Sequence, residues 1–598
     1  MLRYLILPII IMGIYFSTSW HNASLSILPE LPTHDKLLLV PLDSRPVCST
    51  MVQKLGKLAG INVIVPPKEL LDNYQEPADS KKLWFWLQQE APKFQASMVS
   101  ADILLHGSLL QTREHIATEA EQETFLRQLD ALQNALQCAS FSQSVAFSEV
   151  REKRNNKPQG PVHQLTLFSI IPRLLVSDDV YPDCWYQWHL MRYSQLLDMV
   201  EINGDYAMTK ELCEYKEEIP PTILDKYTNI FIQSQSFNKK LLTKAAPVII
   251  GQDDSSPFGL PHRSARQLEN IINSNALTQR VQITNGADEI AALLLTRHAL
   301  QQSRWQPQLY VHFGSPKTEF KHMPYMAASV GATLRNQAQL VGAHLVEAPN
   351  EADIILFVHC GDDNAKPTGT EAQQLACYLE QGKHVALIDL SANFEAEEML
   401  LPLLLHKGVP INRLAAYAGW NTFSNSSGTA LAQSILFVNR LRQLQAYSST
   451  ASPATVKQII QNPTLATKPS EAKEQSIAAL YAANLNFTAE RMLEDFYYQK
   501  LIHPQLRPYL ESFGTMPTDL EPEEKQWTEY FIHQRLSFYA AKLLWQSLAC
   551  TPFYENANQR YYLDNLTVGA KLPWNRIFEV DLDVHSKVSC QPQEKDER

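Results

Sequence analysis

An α/β fold is the expectation for this 598-residue chain, and three observations carry it. Short uninterrupted apolar runs alternate with helix-length segments, the runs are rich in Val, Ile and Leu, and several end directly in acidic residues. Continuous apolar runs suit strands of a parallel sheet covered on both faces, whereas a half-exposed antiparallel strand alternates apolar with polar positions. A hydrophobic content of 45% against 19% charged residues supplies core for several domains.

Leu37-Leu38-Leu39-Val40 is the first run, followed by a helical segment over 51–58 and a strand over 61–65. Further runs lie at 98–105, 165–171, 248–250 and 281–283, with helical stretches at 117–136 and 185–200 between them. From residue 309 the rhythm tightens, with strands expected at 309–311, 344–346, 354–358, 385–388 and 414–417. Helices are expected between and after them at 327–340, 371–380, 395–405 and 429–444. Five strands is the count of a flavodoxin-like doubly wound unit. The candidates together exceed the eight strands of one closed barrel, so a barrel-like domain is expected over 31–305 and a doubly wound domain over 306–446. A Ser-, Thr- and Pro-rich stretch at 447–475 reads as a linker, and 476–590 as a mainly helical region with a short β tail.

Residues 1–26 begin with Arg3, continue apolar from Tyr4 to Phe16, and then turn to small residues. That layout fits a secretory signal, or an uncleaved anchor tethering the chain to a membrane, and places the rest in the periplasm or outside the cell. A net charge of -11 without a basic stripe excludes nucleic acid as a partner. The eight cysteines lack CxxC spacing, so zinc is not indicated, and Cys184 with Cys213 is the local disulfide pair open to an exported chain.

The acidic strand ends carry the chemistry. Val248-Ile249-Ile250-Gly251-Gln252 runs straight into Asp253-Asp254, and an unpaired buried carboxylate costs several kcal/mol, so the pair belongs at the lip of a sheet where α/β proteins hold ligands. One acid can protonate a leaving oxygen while its neighbour stays ionised, as glycoside cleavage requires. Both could instead bind a divalent cation, or one could cap the next helix. Asp43 and Arg45 follow the first strand and form either an anion clamp or an internal salt bridge. Asp102 and His106 flank an apolar run; in a strand their even spacing would put a base beside an orienting carboxylate, against the commoner structural role of a lone His. Arg113 ends that segment.

Asp288 and Glu289 open a helix after Gly286, where they suit the helix dipole or approach a ligand. Asp389 ends another apolar run. Trp420 and Asn421 sit in Tyr417-Ala418-Gly419-Trp420-Asn421-Thr422, a flat ring and hydrogen-bonding groups of the kind that bind sugars, with a helix expected to begin near Gly428. No Gly-x-Ser-x-Gly elbow is present to supply a serine nucleophile.

Val40-Pro41-Leu42-Asp43-Ser44-Arg45-Pro46, the segment from Ser100 to Arg113, Gly251-Gln252-Asp253-Asp254, Gly286-Ala287-Asp288-Glu289, the segment from Tyr417 to Ala432 and Leu572-Pro573-Trp574-Asn575-Arg576-Ile577-Phe578-Glu579 together resemble the bacterial family of domain of unknown function 4127. The chain departs from that pattern at His106-Gly107-Ser108, where the family tends to Tyr-Gly-Gly, and the resemblance brings no established reaction. The Asp-Asp step is also similar to that of substrate-assisted N-acetylglucosaminidases with barrel folds.

The reading is therefore an exported glycoside hydrolase of N-acetylamino-sugar glycans. Asp253 and Asp254 are the catalytic pair, and Asp43, Arg45, Asp102, His106, Arg113, Asp288, Glu289, Asp389, Trp420 and Asn421 bind a glycan or other small polar substrate. No cofactor and no metal is assigned. A metal-dependent hydrolase and a non-catalytic envelope binding protein are the alternatives.

Overall fold

The computed structural model describes residues 24–25, 28–149, 163–175, 184–446 and 469–593. Strands are numbered in chain order. Ser24–Leu25 is β1, Asp35–Val40 β2, Ile61–Ile64 β3, Ala96–Ser100 β4, Gln164–Ile171 β5, Val248–Gln252 β6 and Val281–Asn285 β7. β2 to β7 form one parallel sheet in the order β3-β2-β4-β5-β6-β7. Gln308–Phe313 is β8, His344–Leu345 β9, Ile354–Gly361 β10, His384–Ser391 β11 and Ala416–Ala418 β12, and these make a second parallel sheet in the order β12-β11-β10-β8-β9. Counted within each sheet, both begin 2-1-3-4-5, the order of flavodoxin-like doubly wound units. Tyr554–Glu555 (β13), Gln559–Lys571 (β14) and Asp581–Pro592 (β15) add an antiparallel sheet whose other edge is β1.

The first sheet is open, with β3 and β7 as its edges, so the barrel expected over 31–305 is not formed. Alternation of strands and helices is common to barrels and open sheets; what separates them is strand order, which a one-dimensional pattern does not carry. The expected strand at 103–105 is also corrected. Ser100 ends β4, its hydroxyl accepts from the Ile103 N–H, and Ala101–Leu105 is a short helix. The last expected helix starts earlier than Gly428, running from Phe423 to Ala446.

Successive residues of the strands are buried on opposite faces. Leu37 and Leu39 of β2 join one core and Leu38 and Val40 another, while Ile354, Leu356 and Val358 of β10 share the core of Leu37. The two sheets thus face each other across a common helical layer, built from Thr50–Ala59, Ile290–Ser303, Val330–Val341 and Phe423–Ala446. The last of these helices is buried from Phe423 to Leu441. The outer face of the second sheet is covered by Pro469–Arg491, the π-helical stretch Met492–Ile502, Pro522–Leu543 and the β14–β15 hairpin.

Cys213 is an exposed free thiol, so the Cys184–Cys213 disulfide is not formed. The expected leader at 1–26 and the linker at 447–475 fall mostly outside the described residues, although Pro469 onward is helix. Among the described residues no helix is long and apolar enough to cross a membrane.

Because Leu431 is fully buried in the layer that serves both sheets, Leu431→Ala is expected to lower unfolding free energy by ~2–5 kcal/mol, measured by urea denaturation.

Candidate active site

Open α/β sheets bind ligands beyond the carboxyl ends of their strands. Here loops from both sheets and from the C-terminal hairpin close a cavity of about 220 Å³ at such an edge. The first sheet supplies Arg45 after β2, Arg173 after β5, Asp253 and Asp254 after β6, and Asn285 and Asp288 at the end of β7. The second supplies Tyr325 from the segment after β8, and Asn421, Thr422, Ser424 and Asn425 at the start of Phe423–Ala446. Trp574, Arg576 and Phe578, between β14 and β15, form the remaining wall.

The β6 loop is held by backbone. The Asp253 N–H donates to the Ile171 carbonyl, Leu174 N–H to the Asp254 carbonyl, Ser255 N–H to the Tyr325 carbonyl, and Gly286 N–H to the Gln252 carbonyl. Gly286 has φ 93°, and a Cβ there would meet Glu289 Oε1 at 2.0 Å and Ser424 Oγ at 2.5 Å. Only glycine lets the β7 turn pass between these groups.

Asp253 and Asp254 are adjacent, yet their surroundings oppose each other. Asp253 Oδ2 accepts from Arg113 Nη2 at 2.8 Å and its Oδ1 from the Asp254 N–H at 2.9 Å. Burial raises its pKa, but Arg113 and Arg173 outweigh that, and the carboxyl titrates below its ordinary range. The Asp254 carboxyl accepts no hydrogen bond from the described residues; burial first, then the charge of Asp253, pushes it up to about 7.

Arg45 ties two loops together. Its Nε donates to Asp43 Oδ2 at 2.8 Å, and Nη2 and Nη1 reach the two oxygens of Asp288 at 2.5 and 3.2 Å. Burial raises the pKa of Asp288 despite Arg45. Arg576 pairs in the same manner with Glu579, and its guanidinium lies 4.7 Å from the ring centres of Tyr74 and Trp574 and 5.5 Å from that of Phe578. Trp574 Nε1 donates to Ser44 Oγ at 2.9 Å, fastening the hairpin loop beside Arg45.

Of the residues singled out from sequence, Arg45, Arg113, Asp253, Asp254, Asp288 and Asn421 line this cavity. Asp43 stands one step behind, as the partner of Arg45. Glu289 is fully buried, pushed up to about 8 chiefly by burial, and bonded to Gln337. Asp102 and His106 border a separate small pocket with Thr112 and His115. Both lie in or next to the helix Ala101–Leu105, so the same-face strand pairing does not exist; burial raises Asp102 to about 7 and lowers His106 to about 4. Asp389 lies inside β11, where its oxygens accept from the N–H groups of Leu400 and Leu401 at 2.7 and 2.9 Å, away from the cavity. Trp420 is buried and does not line this cavity; it borders a separate, much smaller pocket with Pro46, Val47, Met51 and Arg491. Sequence reasoning missed Arg173, Tyr325, Trp574, Arg576 and Phe578. The last three lay in view as Leu572–Glu579, a break in an otherwise alternating β pattern, but nothing local links that break to β6 or β7.

The family profile covers residues 37–583, which includes every wall of the cavity. The chain belongs to the family described as protein of unknown function DUF4127. No curated protein and no solved structure matches it.

Asp253→Asn is expected to bring the titration of Asp254 down from about 7, since the neighbouring charge is removed while burial remains; carboxyl-carbon NMR of labelled aspartate measures it.

Proposed function

We propose that the chain is an exported glycosidase-type hydrolase that cleaves glycans of N-acetylamino sugars, with Asp254 as the acid and Asp253 as its ionised partner. The observation that carries this is the unequal environment of two adjacent carboxylates in one cavity: two guanidinium groups face Asp253, and no protein donor among the described residues reaches the Asp254 carboxyl. Paired-carboxylate glycoside cleavage needs that division between a proton donor and a fixed negative charge. The export rests on the apolar N-terminal stretch.

Adjacent side chains on one loop serve one side of a sugar ring, so the attacking group comes from elsewhere. Both oxygens of Asp253 are already engaged, which suits an anion that steadies a partner better than a nucleophile. An acetamido substituent fits. With its N–H held by Asp253, its carbonyl oxygen bonds to the anomeric carbon as the glycosidic oxygen departs with the proton of Asp254. Water then opens the cyclic intermediate and returns a proton to Asp254. Arg45, Arg113 and Arg576 on the walls each have a carboxylate partner. Those pairings use the oxygens a divalent cation would need, and turnover is expected to survive a chelator.

Aryl N-acetylhexosaminides of both anomeric configurations are the test substrates. Asp254→Asn is expected to lower kcat/KM by about 10²–10⁴-fold, with thermal unfolding showing that the fold is kept. In the parent enzyme kcat/KM is expected to fall as pH rises through about 7, because Asp254 then loses the proton it must donate; this limb vanishes in Asp254→Asn. Absence of cleavage, or undiminished turnover in both Asp253→Ala and Asp254→Ala, would falsify the assignment.

A further inference from the structure

Two large aromatic side chains beside the cavity are exposed where packing would bury them. Tyr325, on the cavity wall, is 51% exposed, and Phe394 beyond it is 40% exposed. They come from different loops of the second sheet, after β8 and β11, and their ring centres are 6.3 Å apart with planes tilted by 44°. Each has φ 64°, a left-handed backbone that side chains of this size seldom adopt and that costs on the order of 1–2 kcal/mol. Strain of this kind persists only where the surroundings over-determine it.

The surroundings do. The Tyr325 carbonyl accepts the N–H of Ser255, the residue after the carboxylate pair, so the backbone that carries the ring is fixed beside Asp254. On the other loop, Ser391 Oγ donates to Glu398 Oε2 at 2.6 Å and Asn393 Nδ2 to Glu398 Oε1 at 2.7 Å, bracing the turn that carries Phe394. The Lys500 ammonium lies 4.9 Å from the Phe394 ring centre. Both rings thus stand on braced loops, half in water, Tyr325 on the cavity wall and Phe394 in contact with it. Rings held this way suit a ligand with flat apolar faces and polar edges.

A cavity of about 220 Å³ falls below the ~300 Å³ at which pockets enclose a drug-sized molecule, so it suits one sugar ring and not two. We infer that Tyr325 and Phe394 form a second subsite, which stacks the neighbouring sugar of an oligosaccharide whose cleaved residue sits in the cavity. This rests on the glycosidase reading and extends it: the substrate is a chain, bound across at least two units.

The test is binding, which does not require turnover. N-acetylglucosamine oligomers of one to four units are titrated calorimetrically into the full chain. Affinity is expected to rise about fivefold or more from one unit to two, and Phe394→Ala to abolish that step while Phe394→Trp keeps it. A flat dependence on length, or a step that survives both Phe394→Ala and Tyr325→Ala, overturns the subsite. Length-dependent binding lost in Phe394→Ala without any cleavage would uphold the subsite and remove the hydrolase assignment, so the two fail separately.

Discussion

A buried guanidinium obliges its neighbours to stay, and Arg45 is the one on which this site depends. It bonds to Asp43 two residues away and to Asp288 across 243 residues of chain, with all three side chains almost wholly buried. Withdrawing one partner from a buried ion pair costs about 3–5 kcal/mol, a large part of what a folded chain has to spare. The loops after β2 and β7 are therefore fastened at one spacing. Ser44 lies beside this clamp and takes the indole N–H of Trp574, which fixes the distant hairpin loop to the same point. Three separate parts of the chain meet at this one cluster.

The second constraint is the shared helical layer. A parallel sheet must be covered on both faces, and two such sheets that share one covering layer can bring their carboxyl edges to the same end. The helix Phe423–Ala446 belongs to that layer, and its first residues, Ser424 and Asn425, face Asp288 and Gly286 of the first sheet. Asn425 Nδ2 approaches Asp288 Oδ2 at 3.5 Å, while Gln337 links Glu289 to the Ser424 carbonyl. Polar contacts at the start of one helix thus join the strand ends of one sheet to those of the other. The N-terminal end of a long helix also places partial positive charge against the acids of the wall.

Much of the site was legible because the cost of an unpaired buried charge can be read without coordinates. Asp253 and Asp254 stand out on that ground, Asp288 as an acid opening a helix after a strand, Arg45 as a clamp or salt-bridge partner and Arg113 as the end of an apolar segment, and all border one cavity. The same rule misplaced Asp389, since an acid inside a strand and an acid just past its end follow the same apolar letters; the carboxylate of Asp389 instead caps the helix Leu401–His406. Trp420 failed for a related reason, because a sequence does not tell which side of a loop faces the core. Strand order, the difference between the expected barrel and the open sheet, is set by long-range pairing and leaves no local mark. Trp574 and Arg576 reach the site from a hairpin some 300 residues past the acids, through contacts that no periodicity encodes.

What sequence could not do at all was tell the two central acids apart. Asp253 and Asp254 are the same residue in adjacent positions, both largely buried, and each is raised by that burial. The difference lies in who faces them. Arg113 comes from a loop 140 residues upstream to bond Asp253, and burial first, then the ionised state of Asp253, holds the proton on Asp254. The guanidinium keeps one carboxyl ionised, burial and that charge keep the other protonated, and an acid and an anion arise from identical side chains. Such a division depends on Arg113 staying within hydrogen-bond reach of one aspartate and not the other, which the four backbone hydrogen bonds around the β6 loop secure.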